Sequence, residues 1–98
     1  MEKKSTVAIF LNHHIQLSGK KQKQIAEEVG FNKAKVITMI KQGKTKLPIA
    51  RIEAMAKSIR VDAYELLLIC KEEYQSEDWA VEKSILLNSA VFGAKYAI

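Results

Sequence analysis

The sequence predicts an all-α fold, a five-helix domain followed by one extra C-terminal helix and a tail. Three observations predict it. Apolar residues recur at the three-and-four spacing of amphipathic helices in six successive segments. Helix-capping residues and glycines stand between those segments, where helices start and stop. A chain of 98 residues, 48% apolar and 28% charged, supports one hydrophobic core and not two.

Taken in order, Ser5 caps a first helix whose stripe is Val7, Phe10, Leu11 and Ile15, and Ser18-Gly19 ends it. A second helix, over about residues 20–29, carries Ile25, Ala26 and Val29 and stops at Gly30. Asn32 is the expected cap of a third helix over residues 32–42, with Val36, Ile37, Met39 and Ile40 on its buried side and Gly43 as its stop. Pro48 suits the first turn of a fourth helix, where a missing N–H costs nothing; its stripe is Ile52, Met55, Ala56 and Ile59. Asp62 caps a fifth, with Ala63, Leu66, Leu67, Cys70 and Tyr74 on one face and Leu68 and Ile69 on another. Ser76 caps a sixth, over about 77–87, and the tail after it holds Val91, Phe92 and Tyr96. This divides the chain into a unit at 1–75 and a C-terminal element at 76–98.

Charge is unevenly placed. The net charge is +5, but residues 1–46 carry ten lysines against three glutamates, while the remainder carries six basic against eight acidic residues. Between Lys20 and Lys46 eight lysines face only Glu27 and Glu28, a pattern that points to a polyanionic partner.

From Gln22 onward, small or apolar residues fall at Ile25, Ala26, Val29, Phe31, Val36 and Met39, with Gly30 at the turn. Each position has a mechanical reason. Two helices crossing steeply need a small residue such as Ala26 at the contact, and a three-residue turn needs a residue that accepts positive φ. The spacing is that of a helix-turn-helix, here at 21–42.

The stretch QKQIAEEVGFNKAKVITMIKQGKTKLPIARIEAMAKSIRVDAYELL, Gln22 to Leu67, resembles the lambda-repressor/Cro-like, or Xre-type, helix-turn-helix transcriptional regulators. The resemblance covers about half the chain. It implies a five-helix DNA-binding head, a recognition helix in the major groove, and a dimer on an operator of near two-fold symmetry. It also implies that Gln22 clamps a phosphate at the start of the second helix. Relatives often carry Glu near the place of Ile40 or Gln at the start of the recognition helix, where this chain has Lys33, so the base preference does not transfer.

Helix geometry puts Ala34, Lys35 and Thr38 on the outward side, and Lys33, nearer the apolar edge in angle, joins them because its long chain reaches forward from the first turn. These four are the base-reading candidates: lysine donates to guanine O6 and N7, and Ala or the Thr methyl packs on the thymine methyl. Phosphate candidates are Gln22, Lys20, Lys21, Lys23, Asn32, Lys41, Gln42, Lys44, Thr45 and Lys46. Leu68, Ile69, Trp79, Ile85, Leu86, Val91 and Phe92 exceed what one small core covers and form the expected homodimer interface.

Other chemistry finds little support in the residues. His13 and His14 are adjacent and cannot chelate one metal in the i, i+4 manner; His14 lies on the apolar stripe. Cys70 sits on a buried stripe as a packing residue, and one cysteine builds no disulfide frame. The pairs Glu27/Glu28 and Glu72/Glu73 read as solvated acids. No catalytic grouping, phosphate loop or cofactor fingerprint is present, so the expectation is a non-enzyme without metal, cofactor or small-molecule ligand. No apolar run exceeds five residues, as in Leu66 to Cys70, and the first residues lack a signal core, which predicts a cytoplasmic, nucleoid-associated protein away from membranes. The functional expectation is a sequence-specific double-stranded DNA-binding regulator, a repressor by operator occupancy. The alternative is an antitoxin or adaptor using its helices to bind protein; RNA binding ranks third, because stacking aromatics do not accompany the lysines.

Overall fold

A computed structural model describes residues 5–75 and 77–88. Among these residues the chain forms six α-helices, one 3₁₀ turn and no strand. The helices are α1 (Thr6–Ser18), α2 (Gln22–Val29), α3 (Lys35–Lys41), α4 (Ile52–Ile59), α5 (Ala63–Tyr74) and α6 (Trp79–Asn88), with the 3₁₀ turn Ile49–Arg51 leading into α4. No helix among the described residues is long and apolar enough to cross a membrane.

Local signals set both ends of α1. The Ser5 hydroxyl accepts from the Ala8 N–H at 3.0 Å, and Gly19 closes the helix in the left-handed region. A remote residue strengthens the start. Glu73, at the end of α5, accepts from the Ser5 hydroxyl at 2.6 Å and from the Val7 N–H at 3.0 Å. Its negative charge sits on the positive end of α1, a favourable placement that ties the two helices together. Glu73 is therefore exposed but engaged, not merely solvated.

The core gathers Val7, Leu11 and Ile15 of α1, Ile25, Ala26 and Val29 of α2, Ile37 and Ile40 of α3, and Leu47 from the loop. Ile52, Met55, Ala56 and Ile59 of α4 join Leu66 and Cys70 of α5 to complete it. Helix α4 packs between α2 and α5, while α1 meets α3, α4 and α5. Cys70 is fully buried, and that burial pushes its thiol up to about 11, so it is a packing residue and not a thiolate at neutral pH.

Several boundaries differ from the sequence reading. The third helix begins at Lys35, with Ala34 and not Asn32 at its start, and no side chain caps it. The Lys33 and Ala34 carbonyls already accept from Val36 and Ile37, which delays regular α-helix by one turn. Pro48 lies outside the fourth helix, in extended backbone just before the 3₁₀ turn. Val36 and Met39 are only part-buried; Ile37 and Ile40, with larger buried side chains, hold α3 to the core. The sixth helix runs Trp79–Asn88, and the cap expected at Ser76 lies outside the described residues, as do Val91, Phe92 and Tyr96.

Gly30 makes the tight corner after α2 possible. Its φ is +94°, and its N–H and that of Phe31 both donate to the Ala26 carbonyl, at 2.9 and 2.8 Å. A Cβ built there would meet the Arg51 guanidinium at 3.0 Å, a flexible neighbour that can move aside. The backbone conformation therefore sets the cost. Gly30→Ala is expected to destabilise the domain by about 1–2 kcal/mol. Urea denaturation checks this; an unchanged midpoint would mean that the turn relaxes freely.

Candidate nucleic-acid interface

Two anchors set the roll of α3. Ile37 and Ile40 are both buried, so the helix side opposite their midline faces out. With side chains advancing about 100° per residue, that outward line passes through Lys35 and Gln42. Both are exposed. Thr38 flanks the line on one side and Met39 on the other, each half-buried. Met39 differs from the sequence expectation: grouped there with Val36, Ile37 and Ile40 on the buried side, it is only half-buried, because the isoleucine pair sets the roll and turns it toward the surface. Lys33 and Asn32 are exposed in the turn before the helix, and Ala34 is half-buried.

Helix α2 meets this surface at its amino end. Gln22 donates through Nε2 to the Thr38 hydroxyl at 2.6 Å and accepts from Lys41 Nζ at 2.9 Å. Three candidates expected to act separately thus form one linked group. No side chain caps the start of α2. Its first N–H groups and positive dipole end stand beside exposed Lys21 and Lys23.

The remaining lysines divide into paired and unpaired. Lys20 binds Glu28 at 2.7 Å, and the same carboxylate accepts from the buried Ser58 hydroxyl at 2.6 Å and from Gln24 at 3.1 Å. Glu28 thereby joins α2 to α4 and gives Lys20 a partner within the chain. Lys46 lies 5.2 Å from the centre of the Tyr74 ring, a cation–π distance, and Tyr74 accepts from the Leu47 N–H at 2.8 Å. Burial pushes the Tyr74 hydroxyl up to about 12, so it stays protonated. Lys44 is exposed and Thr45 half-buried in the same loop. Among the described residues, the ion pairs leave out Lys21, Lys23, Lys33, Lys35, Lys41, Lys44, Lys46 and Lys57. All but Lys57, which is on α4, lie on α2, α3 or the turns and loop beside them.

Elsewhere the expected residues are distributed unevenly. Trp79 is buried within the chain, with the Lys71 ammonium 6.0 Å from its ring centre, and so offers no surface to a partner. Lys71 also pairs with Glu82 at 3.1 Å, and Lys83 pairs with Glu72, holding α6 to α5. The Glu72 carboxyl is lowered chiefly by Lys83. Leu68 and Ile69 line an open cleft of about 690 Å³ beside Leu87. Ile85 is exposed and Leu86 half-buried; Val81, not among the expected interface residues, is as exposed as Ile85. The His14 ring lies tilted against Phe10, with centroids 4.4 Å apart, and His13 stands edge-on to His14. Among the described residues no group of three or more His, Cys, Asp or Glu could hold a metal ion. No family model, curated protein or solved structure matches the chain.

The Glu28 network has a pH signature. The Lys20 ammonium first, then the Ser58 hydroxyl, holds its carboxyl at about 2, below the ordinary 4.5. A depressed folded-state pKa contributes stability that is complete above 4.5 and is lost as pH falls toward about 2. Thermal unfolding between pH 5 and 2 is expected to show a steeper loss for the native chain than for Glu28→Gln. Parallel curves for the two proteins would remove Glu28 from the acid response.

Proposed function

We propose that this protein binds double-stranded DNA sequence-specifically and acts as a transcriptional regulator, a repressor that occludes its operator. The observation that supports the reading is the outward side of α3, where Lys35, Gln42 and Thr38 project away from an isoleucine-anchored base next to the uncapped start of α2. The side chains of a short helix so rolled enter a major groove, while the α2 amino end meets a phosphate. Lys33, Ala34, Lys35 and Thr38 read base edges, with Met39 added as an apolar contact for a thymine methyl. Gln22, Lys21, Lys23, Asn32, Lys41, Gln42, Lys44, Thr45 and Lys46 serve the backbone, joined by Lys20 when it releases Glu28. Surface ion pairs are worth only about 0–1 kcal/mol, so that exchange is inexpensive.

The reading includes a homodimer. Ion pairing of α6 to α5 leaves its opposite side, with Val81 and Ile85, open to a second copy, and two copies present two α3 helices to a two-fold site. Selection from a random duplex pool tests both parts, because the bound sequences report the operator and its symmetry. On the selected site, affinity is expected to fall steeply with salt, by about 0.9 in the log–log slope per phosphate contact. Lys23→Ala lowers that slope by about 1 for all sequences, while Lys35→Ala costs about tenfold on the selected site and relaxes one position. Salt-independent association, or selection of no duplex, contradicts the proposal.

A further inference from the structure

The hydrogen bonds among Gln22, Thr38 and Lys41 run in one direction only. An ammonium has donors and no acceptor, so the Gln22 atom 2.9 Å from Lys41 Nζ must be the amide oxygen. The amide nitrogen is then the atom 2.6 Å from Thr38 Oγ1, and it donates there. A hydroxyl that has accepted this bond keeps its own proton. Among the described residues that proton has no acceptor, although Thr38 is half-buried on the flank of the outward face.

We propose that Thr38 is a specificity-determining residue whose hydroxyl donates to an acceptor atom on a base edge, and that Gln22 and Lys41 are positioning residues that set this polarity. The inference rests on the DNA-binding reading above and names the base chemistry that the site takes. Guanine presents only acceptors in the major groove, N7 and O6, while cytosine presents an amino donor. An amino group set against Thr38 leaves the hydroxyl proton unspent; guanine uses it. The preference carried by one such hydrogen bond is about three- to tenfold. Lys41 matters because, without it, the Gln22 amide is free to turn its oxygen to Thr38, which would then donate inward and present lone pairs outward.

The test uses the full chain in three forms, native, Thr38→Val and Gln22→Glu, each put through selection from a random duplex pool. A carboxylate at position 22 still pairs with Lys41 but only accepts, so Thr38 must donate to it. The native chain is expected to enrich guanine over cytosine at one position and Thr38→Val, which leaves the Gln22 phosphate contact in place, to lose that preference. Gln22→Glu, which gives up that contact and binds more weakly, is expected to reverse the preference among the duplexes it still captures; if it captures none, the Thr38→Val selection and the Gln22 amide signals decide. A DNA-free readout accompanies it: the Gln22 side-chain amide signals in ¹⁵N–¹H spectra shift in Thr38→Val and in Lys41→Met. Captured duplexes with the native preference intact in both variants overturn the inference and leave DNA binding standing. Native protein that captures no duplex while the Gln22 signals behave as described overturns DNA binding, and this role of Thr38 with it.

Discussion

Burial of Ile37 and Ile40 is the constraint on which the rest of the surface depends. A seven-residue helix has little stability of its own and takes its orientation from what it packs against. Two buried isoleucines, one turn apart, give it a single seat in a core built from α1, α2, α4 and α5. Every outward residue follows from that seat. Lys35 and Gln42 are exposed because the isoleucines are not, and Thr38 reaches Gln22 because the roll brings it to the α2 side. The left-handed turn at Gly30 supplies the other half of the geometry, by setting where α3 begins relative to the end of α2.

Around that apolar seat, polar contacts sort the lysines by availability. Glu28 accepts from three side chains and takes Lys20 into the framework; Tyr74 holds Lys46 near its ring while bonding the Leu47 backbone. Lys21, Lys23, Lys33 and Lys35 have no ion-pair partner among the described residues, and Lys41 bonds only the neutral Gln22 amide. Cations without an acid partner, carried on neighbouring elements, raise the local potential. In the proposed function a polyanion supplies the missing negative charge. The physical case for nucleic acid thus comes from an imbalance of position, since the net charge of the whole chain is only +5.

Much of the helical framework was legible because its signals are local. Ser5, Gly19, Gly30 and Asp62 act on neighbours within three or four residues, and each is found where the pattern placed it. The ends of α4 and α5 are different: Arg60 and Gln75 adopt the left-handed conformation without being glycine, which no residue type announces. Asn32 has the chemistry of a cap, yet the first turn closes through the Lys33 and Ala34 carbonyls and regular α-helix begins at Lys35. The tertiary links were illegible for a simple reason. Glu73 to Ser5, Glu28 to Ser58 and Leu47 to Tyr74 join residues 27 to 68 positions apart, so no window of sequence contains both partners. Gln22, Thr38 and Lys41 were each legible as candidates. Their mutual bonding, across 16 and 19 positions, was not.

In the proposed function, α2 and α3 form the face that meets a polyanion. Titrating the ¹⁵N-labelled full chain with a short duplex of arbitrary sequence at low salt tests it most directly, since non-specific affinities of about 10⁻⁴ to 10⁻⁶ M are measurable by shift mapping. The amides of residues 21–23 and 33–42 should move most, with those of 79–88 nearly still. Shifts concentrated on α5 and α6, or a spectrum that stays unchanged at every ratio of duplex to protein, would contradict it.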